Sequence, residues 1–168
     1  MRMPRTPGAP SRLCVEQQWL PVLAPTLPLP VPVPVRVGES SPRFPDTWSI
    51  ARWVDGDPAD SAPITSPQAA GVLAGAARLW ELCAGDPATD LAAAWVLLPA
   101  GTASGFFDAY AKADNATIRR ARGWAVLRAF VLIRIGMNGE QGLPGGKPTW
   151  LPAGWSALER VLASKAGT

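Results

Sequence analysis

The sequence predicts an α+β protein, a short β-rich part at the N-terminus followed by a mainly helical part. Three observations carry that expectation. Fourteen of the 19 prolines lie at or before Pro67, and a residue with fixed φ and no N–H favours extended or edge chain over helix. Ser66-Pro67 and Asp86-Pro87 then each match a helix N-cap followed by proline at the first helical position. Hydrophobic residues make up 48% and charged residues 17% of the 168, which suits a chain with a sizeable core and excludes a wholly disordered one.

Taken in order, a short helix is expected over 16–23, stopped before Pro25. The alternating run Leu27-Pro-Leu-Pro-Val-Pro-Val-Pro-Val35 reads as extended chain or, alternatively, as a linker or polyproline II ligand. Strands are predicted over 31–37 and 47–54, the second carrying Trp48, Ile50 and Trp53 and ending in the turn signal Asp55-Gly56-Asp57-Pro58. From Ser66 the pattern becomes helical. Helices are predicted over 67–82 and 87–98, separated by Gly85 and closed by Pro99, and then over 103–113, 115–135 and 154–165. Two regions follow from this shift, an extended and strand-rich one over 1–65 and a helical one over 66–168.

Charge and residue usage narrow the chemistry. The net charge of +3 rests on 16 basic against 13 acidic side chains, well short of the footprint of a dedicated nucleic-acid binder. There is no histidine, which removes the commonest general base, the commonest metal ligand and every imidazole-based triad. Cys14 and Cys83 have no CxxC or CxxH spacing around them and read as buried, reduced thiols. Arg2 and Arg5 are followed by Pro7, Gly8 and Pro10, where a signal peptide has an unbroken apolar run. The longest apolar stretch, 123–137, is interrupted by Arg128 and Arg134 and is shorter than the roughly 20 residues of a membrane span. A cytoplasmic protein without membrane or nucleic-acid partners is expected.

Basic charge concentrates around the helix from Asn115, where Lys112, Arg119, Arg120, Arg122, Arg128 and Arg134 stand against Asp114 alone. At 100° per residue Arg119, Arg120, Arg122 and Arg134 share one broad face, which reads as solvated. Arg128 points the other way among Trp124, Val131 and Leu132, and a guanidinium there is expected to seek a carboxylate, Asp90 or Asp86 first. Gly145-Gly146-Lys147 fails as a phosphate loop, because Gln141 and Pro148 occupy the positions of the required glycine and Ser/Thr. The segment 136–148 is read as a flexible connector. Asp55-Gly56-Asp57 lacks the further ligands of a calcium loop.

Trp19-Leu20-Pro21, the proline-alternating run to Val35, Trp48-Ser49-Ile50-Ala51-Arg52-Trp53-Val54-Asp55-Gly56 and Gly85-Asp86-Pro87-Ala88-Thr89-Asp90-Leu91-Ala92 resemble, in that order, the aminoglycoside phosphotransferase-like kinases. Gly142-Leu-Pro-Gly-Gly-Lys-Pro148 also looks like members of that family, so the resemblance covers most of the chain. It implies a remnant of a kinase-like fold, with a small β-rich lobe and a helical lobe that bind ATP and magnesium and phosphorylate small-molecule hydroxyls. By the same resemblance Arg2 stands where the family has its nucleotide-contacting cation and Glu16 where a helix carboxylate pairs with it. The strand with Arg52 and Trp53 looks like the inter-lobe hinge that reads adenine through backbone groups. Asp90 matches the aspartate that holds the catalytic loop, or else pairs with Arg128.

The departure from the family pattern bears on activity. Its catalytic loop, of the type His-Gly-Asp-x-x-x-x-Asn, and the magnesium aspartate after it have no counterpart here; the chain passes through Leu79-Trp80-Glu81-Leu82 straight into the Gly-Asp-Pro motif. The glycine-rich strands that cover the phosphates would precede Met1. Phosphoryl transfer depends on positioned metal and charge stabilisation, so a family member without catalysis is expected, or alternatively a binding module that docks a full-length kinase or another protein.

Overall fold

The computed structural model describes Met3 and residues 9–79 and 86–164. The chain divides into two compact units, Met1–Gly56 and Asp57–Thr168. The first holds helix α1 (Ala9–Leu23), a single 3-10 turn (Ala24–Thr26) and an antiparallel pair of strands, β1 (Pro34–Gly38) and β2 (Trp48–Ala51). The second is helical, with α2 (Ala69–Leu79), α3 (Ala88–Leu91), α4 (Ala93–Val96), α5 (Ala103–Tyr110), α6 (Asn115–Glu140) and α7 (Trp150–Ala163).

Helix α1 begins earlier than the sequence predicts. Pro10 is its second residue, where the missing N–H would have had no partner anyway. The helix ends ahead of Pro25, and its last carbonyls are satisfied locally: the Leu23 carbonyl accepts from the Thr26 hydroxyl at 2.8 Å and from the Leu27 N–H at 3.1 Å. Cys14 on this helix is a free thiol and is exposed, which corrects the expectation of burial; it faces outward near the Thr47 hydroxyl, 3.9 Å away. Cys83 lies outside the described residues.

Both strands are shorter than expected, for one reason. Prolines 28, 30, 32 and 34 have no N–H to donate, so the ladder starts only at Pro34 opposite Ala51 and is extended by one bond, Arg52 N–H to Val33 O at 3.1 Å. The register is irregular between Pro34 and Arg36. Val35, Arg36 and Val37 are all exposed. In β2 it is Ser49 that is buried, whereas Ile50 is exposed. Gly38 lies opposite Trp48, and the indole occupies the space a Cβ at Gly38 would need. A tight turn over Ser41–Phe44, with Pro42 at its second position, closes through reciprocal backbone bonds of 2.7 and 3.0 Å.

In the helical unit, Asp86 caps as its sequence predicts, accepting the Ala88 N–H at 3.1 Å, and Asp114 caps α6 by accepting the Thr117 N–H at 2.7 Å. Ser66 does not cap: α2 starts at Ala69, and the Ser66 hydroxyl donates to Gln68 Oε1 at 2.6 Å. The single helix expected over 87–98 is split at Ala92, whose dihedrals stay right-handed while Trp95 N–H bonds back three residues to Ala92 O. Helix α5 stops at Tyr110, with Ala111 in the left-handed region at φ 61°. The end expected for α2 at residue 82 and that of α7 at residue 165 lie outside the described residues.

The core is built from small residues that let helices approach closely. Ala121, Ala125, Ala129, Ile133 and Gly136 form the buried ridge of α6, and Gly154, Ala157 and Val161 that of α7. A Cβ on Gly136 would run into the backbone of Leu151, and one on Gly154 would lie 2.8 Å from the Ile133 backbone nitrogen. Leu91, Leu98 and Phe106 fill the space between the shorter helices, and Phe107 stacks at an angle on Trp95, ring centroids 5.4 Å apart.

The glycine-rich segment after α6 is a tied turn, not a loose connector. Lys147 N–H bonds to Ile135 O at 3.1 Å, Leu143 N–H to Asn138 O at 2.9 Å and Gly146 N–H to Leu143 O at 3.1 Å, and Gly146 presses against the backbone of Gly139. Among the described residues no helix is long and apolar enough to cross a membrane.

Candidate functional site

The residues that the family resemblance marks for nucleotide lie in the first unit. Arg2 is outside the described residues. Glu16 is half-buried on α1, next to Gln17, whose side-chain amide donates to Trp48 O at 3.5 Å. That contact places this turn of α1 at the start of β2. Arg52 and Trp53 follow the far end of the strand, about 13 Å from Trp48 at the usual rise per residue. Arg52 is exposed and Trp53 is 83% exposed. The Arg52 N–H is already committed to Val33, so the backbone groups open to a ligand at this edge begin with Trp53.

Asp86 and Thr89 are held by cations of α6. Arg120 Nε donates to Asp86 Oδ2 at 3.1 Å and its Nη2 to Oδ1 at 3.3 Å. The guanidinium, followed by the Ala88 N–H, holds the Asp86 carboxyl below the usual carboxylate range. Arg128 bonds instead to the Thr89 carbonyl at 3.3 Å, and Asp90 is exposed. The expectation that Arg128 takes Asp90 or Asp86 is therefore corrected. The helices do pack together, but on the α6 helix Arg120 is the residue level with the Asp86 carboxylate, and Arg128, about two turns further on, meets a main-chain carbonyl.

A cavity of about 390 Å³ opens in the helical unit, lined by Asp60, Ile64, Val96, Leu132, Trp150 and Arg160. Its size suits a small molecule and its walls are mainly apolar. Two of the polar groups there, Asp60 and Arg160, are spoken for. The Thr149 hydroxyl donates to Asp60 Oδ2 at 2.7 Å and is the leading cause of a lowered Asp60 pKa. Arg160 Nε donates to Trp95 O at 2.7 Å and Nη2 to Val96 O at 2.9 Å, closing the C-terminus of α4, while burial lowers its pKa. The arrangement can hold an apolar molecule beside a carboxylate. No local pattern announces it, since its residues come from four separate stretches of chain.

Among the described residues no group of three or more His, Cys, Asp or Glu side chains is placed to hold a metal ion. The Gly146 and Lys147 amides are used within the turn, which takes them away from a phosphate cradle. No protein-family model matches the chain, and neither a curated protein nor a solved structure matches it.

Proposed function

We propose that the chain is a non-catalytic relative of the aminoglycoside phosphotransferase-like kinases, a remnant of that fold whose ancestors phosphorylated small-molecule hydroxyls. One observation carries this reading. The family-like segments run in order to Gly85-Asp86-Pro87-Ala88-Thr89-Asp90-Leu91-Ala92, yet no His-Gly-Asp loop stands before them and the chain has no histidine at all. Kinases obtain nearly all their acceleration from placed metal, base and cations. Two observations support the loss of catalysis: the Arg52 N–H at the hinge-like edge is bonded to Val33, and among the described residues no group of three or more His, Cys, Asp or Glu side chains is placed to hold a metal ion. With catalysis absent, the helical unit retains its use as a module that binds another protein.

The test is a titration of the full chain with ATP and magnesium, followed by a phosphorylation assay on aminoglycosides, macrolides and simple amino alcohols. No saturable nucleotide binding and no turnover above background are expected. Turnover abolished by Glu81→Gln would overturn the reading and reveal a relocated metal site.

A further inference from the structure

The outer face of α6 carries an exposed apolar strip. Opposite its buried ridge, at 100° per residue, lie Gly123, Leu127, Phe130, Arg134 and Met137. Their successive spacings of four, three, four and three residues are the a/d spacing of a coiled-coil seam. Leu127 is 56%, Phe130 55% and Met137 48% exposed, and Val131 beside them 46%. An exposed apolar patch marks an interaction site.

Charge selects what covers it. Between Asn115 and Glu140, the full length of α6, there are five arginines and one acidic residue, Glu140 at its last position. Arg120 is held by Asp86, Arg122 by the Val161 carbonyl and Arg128 by the Thr89 carbonyl. Arg119 and Arg134 remain on the outer half, and Arg134 sits inside the seam. A second copy of the chain would lay apolar residues on apolar residues but set these cations against a helix whose one carboxylate, Glu140, lies at its end beyond the seam, so that like charges meet along most of its length. An anionic bilayer has the right sign, yet interfacial helices keep their cations on the polar face. A charged residue within the seam is instead a register device between paired helices.

We infer that this face docks an acidic amphipathic helix of a partner protein. Apolar residues at a/d spacing cover Leu127, Phe130 and Met137, and Glu or Asp side chains meet Arg134 and Arg119. The inference rests on the helical unit acting as a binding module and holds whether or not the chain descends from a kinase, which the nucleotide titration tests separately.

The experiment uses the full chain and a fluorescent synthetic helix of roughly 21 residues, three heptads with Leu at a and d and Glu at e and g. The same helix with Lys for Glu serves as the control, and binding is read by anisotropy. Saturable binding of the Glu helix is expected, with the Lys helix and the Phe130→Asp variant each at least about tenfold weaker. Arg134→Glu is expected to invert the preference between the two peptides. Both substitutions are at exposed positions, and circular dichroism checks that the fold persists. No binding of the Glu helix, or equal binding of both peptides by the unmodified chain, overturns the inference. Cosedimentation with phosphatidylglycerol/phosphatidylcholine vesicles in place of peptide binding assigns the face to a membrane, and self-association abolished by Phe130→Asp assigns it to a second copy.

Discussion

Asp86 and Arg120 form a forked ion pair, with Nε on Oδ2 at 3.1 Å and Nη2 on Oδ1 at 3.3 Å. The same carboxylate accepts the Ala88 N–H at 3.1 Å, so one side chain both starts α3 and ties it to α6. Arg128 adds a bond to the Thr89 carbonyl, and the short helix is fastened across the long one at two points.

Acid should loosen this fastening. The Asp86 carboxyl is held low by Arg120 and then by the Ala88 N–H, and that of Asp114 by the Thr117 hydroxyl and N–H. Folded values below the unfolded ones mean that the unfolded chain binds more protons on acidification. The stabilisation is therefore complete above the unfolded carboxylate pKa and is lost as pH falls through the lowered folded values. Thermal unfolding is expected to be level from pH 7 to about 5 and to decline below about 4. Asp86→Asn and Asp114→Asn should each lower the neutral-pH midpoint and flatten the acid decline; an unchanged acid decline in both would show that these carboxylates are not the cause.

The close approach of α6 and α7 makes Gly136→Ala destabilising. An added Cβ meets the Leu151 backbone, and forcing the helices apart costs about 1–3 kcal/mol, against a gain in helix propensity of about 1 kcal/mol. Gly123→Ala, where nothing lies within 4 Å of the new Cβ, should gain about 1 kcal/mol. Urea unfolding of the two variants decides the point, and equal stabilities would mean that the glycine contact does not set the helix spacing.

Arg160→Ala should destabilise the helical unit by about 1.5–3 kcal/mol, the range for hydrogen bonds made by a charged donor. It removes both bonds to the Trp95 and Val96 carbonyls, and with them the end of α4. Arg160→Lys is expected to recover only part of the loss, because an ammonium lacks the planar fork. A wild-type unfolding curve for the alanine variant would count against the capping role.

Ser49→Ala is expected to stabilise the first unit. Ser49 is 1% exposed, and its hydroxyl has no hydrogen-bond partner among the described residues. Removing an unsatisfied buried polar atom should return about 1 kcal/mol. A lower melting temperature in the variant would reveal a partner for that hydroxyl.

What the sequence by itself determined is local. Asp86-Pro87 starts a helix and Pro99 stops one, and the prolines of the first third delay the ladder until Pro34, because these outcomes depend on φ, on an absent N–H and on bonds between residues a few positions apart. The signal in 142–148 was legible only as a list of residue types; the tied turn over them required the carbonyls of Ile135 and Asn138. The candidate nucleotide residues were legible as a resemblance, while the distance along β2 from the Trp48 end, where α1 touches, to Arg52 was not. Tertiary structure alone decided that Arg120 and not Arg128 meets Asp86, that Ser49 turns inward and Ile50 outward, that Cys14 is exposed, and that residues 60, 64, 96, 132, 150 and 160 share a cavity. Each of these depends on strand register or on how closely two helices cross, and both are set by side chains far apart in the chain that small residues such as Gly136 and Gly154 allow to meet.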